Sequence, residues 1–162
     1  LVGSEMCIRD RAAYIRWGER CVQKFIGMFS FAIWDESKNQ LFCSRDRLGI
    51  KPFFFHTQEN TFYFASDAKA LFAAGVPVKP DWKQWTTYLT KGYYDHSRDT
   101  FFEGVKTLPG GHNLVYKNNQ VHITPYWKME DSPKGSSSRS INDYSEELQS
   151  LGSESLNLHM RS

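Results

Sequence analysis

Seven consecutive residues, Met28 to Trp34, set the terms for how this chain can fold. In an extended backbone successive side chains alternate between two faces. Here Met28, Ser30, Ala32 and Trp34 share one face, and Phe29, Phe31 and Ile33 share the other. Both are largely apolar, so the strand must be covered on both sides and belongs inside a layered sheet. Asp35 to Gln40 is a polar turn, and Leu41 to Ser44 resumes as the partner strand of a hairpin. A charged loop follows directly, Arg45-Asp46-Arg47-Leu48-Gly49-Ile50-Lys51-Pro52, before the apolar run Phe53-Phe54-Phe55. Asp46 is suited to accept backbone N–H groups a few residues on. Gly49 can take a positive φ, and Pro52 stiffens the re-entry into the sheet.

The chain has 162 residues, 40% of them apolar and 15% aromatic, enough for one domain with a proper core. A net charge of +2, with Lys and Arg interspersed among acids, gives no support to a nucleic-acid partner. No apolar run is long enough to span a bilayer and no signal-peptide core is present, so no membrane association is expected. Cys7, Cys21 and Cys43 are odd in number and form no C-x-x-C pair, which suits reduced thiols in a cytoplasm.

Residues 1–11 (LVGSEMCIRDR) show no convincing period and read as a segment foreign to the domain. Ala12 to Phe25 is predicted as an amphipathic helix with Tyr14, Trp17, Cys21 and Phe25 inward, ended by Gly27. After the hairpin, Phe53 to His56 and Phe62 to Ala65 read as a second strand pair. Asp67 and Asp81 are placed as N-caps, of a short helix over Ala68 to Ala74 and of a helix through Trp82, Trp85, Tyr88 and Leu89. Lys91 to Asp99 reads as a loop, and Phe101 to Lys106, Asn113 to Tyr116 and Val121 to Ile123 as short strands. Residues 128–141 contain the Ser-rich DSPKGSSSRS and read as a linker, after which 142–162 regains a helical pattern.

Four blocks in this order, GMFSFAIWD, SRDRLGIKPFFF, FYFASDAKAL and FFEGVKTLPGGH, closely resemble the glutamine-dependent asparagine synthetases. Their N-terminal domain is a class II amidotransferase glutaminase with an N-terminal cysteine nucleophile. The resemblance implies an α+β fold, part of a four-layer α/β/β/α sandwich, with 12–127 as the C-terminal part of the glutaminase domain. It also implies that 142–162 is the first helix of the synthetase domain. The parent would convert aspartate, glutamine and ATP to asparagine, glutamate, AMP and pyrophosphate. ATP and Mg would serve that parent, a cytoplasmic homodimer, while the fragment itself would hold no cofactor.

The family's glutamine-side motifs, an N-terminal Cys-Gly-Ile, HRGPD, NGEIYN and SDTE, all precede the counterpart of Ala12. Its Ser-Gly-Gly-x-Asp-Ser ATP loop lies beyond the counterpart of Ser162. The fragment is therefore expected to carry no catalytic, cofactor or metal residue. Met6-Cys7-Ile8 superficially matches the family's start, but Cys7 is not terminal and Ile8 stands where Gly belongs, so an inert thiol is the reading. The candidate site is the signature loop: Arg45, Asp46, Gly49 and Pro52, with Arg47 beside them. Its charges could line the glutamine pocket or ammonia route. The favoured reading is structural, with Asp46 tying its own loop and Arg45 paired with a carboxylate. His56, His96, His112, His122 and His159 show no metal-ligand spacing. Gly110 replaces the second Pro of the family's Leu-Pro-Pro-Gly-His, and Asp67 stands where the family usually has Glu. A relative amidating another carboxylate, such as a uronate or a β-lactam precursor, is the alternative enzyme. A non-enzymatic aromatic-rich β module is the alternative of a different class.

Overall fold

The computed structural model describes residues 5–94, 96–131 and 140–160. The chain divides into two compact units, 1–128 and 129–162. In the first, α1 (Glu5–Trp17) runs into a 3-10 segment (Gly18–Lys24), followed by the hairpin β1 (Ser30–Asp35) and β2 (Gln40–Arg45). Then come β3 (Phe54–Gln58), β4 (Thr61–Ala65), α2 (Ala68–Ala73), α3 (Trp82–Lys91) and β5 (Lys106–Thr107). β6 (His112–Lys117) and β7 (Gln120–Pro125) complete it.

All strands pair antiparallel, in a four-stranded sheet ordered β1-β2-β6-β7 and a three-stranded sheet ordered β4-β3-β5. The alternation of side chains sorts the core into three apolar seams. Phe31, Ile33, Phe42 and Val115 leave one face of the larger sheet and meet Tyr14, Cys21 and Val22 of the N-terminal helical segment. Cys43 and Leu114 leave its other face and meet Phe53, just before β3, and Phe55 of the smaller sheet. Phe54, Tyr63 and Ala65, from the far face of the smaller sheet, pack around Leu71, Val76 and Val105.

The single helix expected over Ala12 to Phe25 is two elements. Gly18 takes φ +59°, which ends the α-helix at Trp17, and the chain continues with the tighter 3-10 turn. Upstream, the helix runs unbroken from Glu5 through Arg11, residues for which no period was expected. The strand expected over Phe101 to Lys106 is also corrected. The Thr100 hydroxyl reaches the Val105 carbonyl at 2.8 Å and Gly104 takes φ +75°, so this stretch turns, leaving a Pro80–Phe102 bridge and the short β5. Both expected caps form. Asp67 accepts from Lys69 N, and Asp81 accepts from Lys83 N and Gln84 N.

Met28 to Trp34 sends its two faces into different seams, as expected of a strand in a layered sheet, but it lies at the end of the strand order. β1 is an edge strand and Trp34 is exposed. Of the hairpin's two strands, β2 is the one covered on both faces and paired on both sides, and its Phe42, Cys43 and Ser44 are buried. In the second unit, α4 (Ile141–His159) exposes Ile141, Tyr144, Leu148 and Leu151 along its length. The expected linker falls largely on residues outside those described. No described helix is long and apolar enough to cross a membrane.

Candidate functional site

The loop after β2 is held almost entirely by main-chain partners. Asp46 is 1% exposed, and its two carboxylate oxygens accept from Ile50 N and Lys51 N, each at 2.9 Å. Its own N–H donates to Phe29 O at 2.8 Å, while its carbonyl accepts from Gly49 N at 3.1 Å and Gly111 N at 2.8 Å. A carboxylate buried this deeply is tolerable because amide dipoles replace the water it lost.

Arg45 is corrected from its expected ion pair. Its Nε donates to Lys51 O, Nη1 to Leu108 O and Nη2 to Gly49 O, each at 2.6 Å. The ion pairs among the described residues belong to Lys38 instead. The loop's returning backbone and the 108–110 turn bring three carbonyls within reach of one planar guanidinium, and its fork suits them better than one acid. Burial lowers the Arg45 pKa, and neighbouring Asp46 works in the opposite direction. Arg47 Nη1 donates to Phe25 O at 2.6 Å, tying the loop to the segment before β1. Gly49 sits at φ +67° with the Arg45 guanidinium against it. Pro52 is exposed, and its carbonyl accepts from Ser30 Oγ at 3.1 Å.

Two partners of the loop were not legible in the sequence. Tyr126 donates its hydroxyl to Arg45 O at 2.8 Å, across 81 residues. Burial pushes its pKa up to about 12. Gly110 seats the 108–111 turn against the loop, where an added Cβ would stand 2.7 Å from Gly49 N and 2.8 Å from Arg47 O. The only signal available was a glycine pair in a turn, which reads equally well as a free β-turn.

Beside the loop lies a cleft of about 660 Å³, lined by Arg45, Gly49 and Gly110 of the loop and its turn and by Tyr94 and residues 96–101. Asp46 does not line it. Elsewhere, His56 Nδ1 lies 2.9 Å from Gly104 O and His112 Nδ1 lies 2.7 Å from Gly110 O. His96 and His122 are exposed, and the side chain of His159 lies outside the described residues. Cys21 and Cys43 are fully buried. Burial pushes the Cys21 thiol up to about 11 and Cys43 higher still, so neither is a ready nucleophile. The side chain of Cys7 lies outside the described residues. Among the described residues no group of three His, Cys, Asp or Glu side chains could hold a metal ion.

Residues 10–127 match the model of the glutamine amidotransferase domain family. The chain is 35% identical over 119 residues to asparagine synthetase [glutamine-hydrolyzing] 3 of Bacillus subtilis, covering 73% of this chain and 19% of that protein. It is 36% identical over 117 residues to asparagine synthetase [glutamine-hydrolyzing] 2 of the same species, covering 68% of this chain and 16% of that protein. Amidase chry2 of Gibberella zeae is 32% identical over 130 residues, 80% of this chain and 19% of that protein. The chain thus spans about a fifth of the length of these curated relatives.

Proposed function

Because the chain belongs to the family of glutamine amidotransferase domains, we propose that it is the C-terminal part of the glutaminase domain of an asparagine-synthetase-like protein. The parent would be a cytoplasmic, homodimeric ligase using glutamine, aspartate, ATP and Mg. Its α4 would open the synthetase domain, after a linker over 128–141. The succession of N-terminal helix, sheet, sheet and α2 across three seams supports assignment to the four-layer sandwich of N-terminal-nucleophile glutaminases.

The 45–52 loop has a structural role in this reading, and one observation carries it. The Asp46 carboxylate is 1% exposed and both its oxygens accept from amides of its own loop, so it is closed off from a substrate. The described thiols are buried and hard to ionise, which supports a chain that is itself inactive. The similarity to an amidase, a relative not named for asparagine synthesis, supports a second reading, in which the parent acts on an acceptor other than aspartate.

Incubated with glutamine, ATP and aspartate, the purified chain is expected to release neither glutamate nor pyrophosphate. Glutamate release above a protein-free control, lost in Cys7→Ala, would overturn the assignment of Cys7 as inert.

A further inference from the structure

The cleft beside the loop is not used by the reading above, and its chemistry stands independently of it. Leu48, Phe54, Phe101 and Pro109 give it apolar walls. Its volume of about 660 Å³ falls within the few hundred to a thousand Å³ typical of small-molecule sites. Arg45 and Arg98 face a single acid, Asp99, among the described lining residues. Histidine left aside, the formal charges of the described lining residues sum to +1.

Neither guanidinium has a carboxylate within ion-pair reach among the described residues. Arg45 donates three of its five N–H groups to carbonyls, which leaves two. Arg98 is held by its backbone: its carbonyl accepts from Thr107 N at 2.8 Å, and Asp99 bridges to Lys106. The rim is thus fixed while the exposed Arg98 side chain remains available. An apolar cleft with a guanidinium at its rim suits a carboxylate on an apolar body better than a compact, strongly hydrated dianion such as phosphate.

We propose that this cleft binds a small carboxylate carrying an aromatic or other apolar body, with the carboxylate at Arg98 and the body between Phe54 and Phe101. The test is a fluorine NMR titration of the full chain with 4-fluorophenylacetate, and with 4-fluorobenzyl alcohol as the neutral analogue. The acid should bind at least about fivefold more tightly than the alcohol, the scale of one partly exposed charged contact. Arg98→Gln should erase that preference, Arg98→Lys should keep part of it, and Lys117→Gln, away from the cleft, should leave it unchanged. No saturable binding, equal affinity for acid and alcohol, or an unchanged preference in Arg98→Gln would overturn the proposal. Displacement of the probe by inorganic phosphate at lower concentration than by acetate would overturn its carboxylate class.

Discussion

β1 and β2 are neighbours in one hairpin, six residues each, and both send side chains into two seams. They differ in their edges. β2 lies between β1 and β6, whereas β1 has a strand on one side only among the described residues. The Asp46 N to Phe29 O bond fixes the alternation of the ladder. The amides and carbonyls of Ser30, Ala32 and Trp34 therefore point away from β2. Covering two faces and pairing two edges are separate demands, and only β2 meets both.

Proline separates the two strands most sharply. At Cys43 it would remove a bond to β6 from the interior of the sheet, costing roughly 3 kcal/mol or more. At Ala32 the lost N–H points away from the sheet, so the cost should stay near ~1–2 kcal/mol from crowding alone. Urea midpoints measure both, and equal losses would show that β1 has a partner on its outer side.

Side-chain truncation comes next. Phe42→Ala, at a fully buried position, should cost about 3–5 kcal/mol, and the half-buried Ile33→Ala less than half of that. A reversal of that order would move the principal core from β2 to β1. Asp46→Ala unties the residue that follows β2 and should cost about 1–3 kcal/mol. In a full-length parent the same change should lower the melting temperature more than it alters the KM for glutamine.

The smallest effect is alkaline. Tyr14 anchors the end of β1 through Asp35 at 2.9 Å, and Tyr126 anchors the end of β2 through Arg45 O. Burial first, and then the Asp35 bond, raise Tyr14 to about 12, while burial raises Tyr126 to about 12. A folded-state pKa raised above its unfolded value of about 10 favours the neutral hydroxyl. That stabilisation is complete below about pH 10 and is lost as pH climbs toward 12. Cys21 adds to the loss from about pH 9, through its rise to about 11. Melting temperatures across pH 8–12 should fall along this course, less steeply in Tyr14→Phe and in Tyr126→Phe.

What the sequence made legible follows the range of the interactions involved. Caps, hairpins and face alternation depend on residues a few positions apart, so Asp67, Asp81 and the β3–β4 pair could be placed in advance. Strand order could not, because an apolar pattern records faces and says nothing of edges. Hence the two covered faces of Met28–Trp34 are legible, and its place at the edge of the larger sheet is not. Asp46 and Gly49 could be read because their loop closes locally. The carbonyls around Arg45 could not, since one of them, Leu108 O, lies 63 residues away.

That distance also bears on the order in which the molecule assembles. Asp46 joins Phe29, Ile50, Lys51 and Gly111, segments from three parts of the chain. Closing a span from Asp46 to Gly111 costs chain entropy before it returns any bond, so this knot should tighten late, after the β1–β2 and β3–β4 hairpins have formed. Once closed, its amides are shielded together. The N–H groups of Ile50 and Gly111 should then exchange with deuterium only when the whole first unit opens, with one shared free energy of opening.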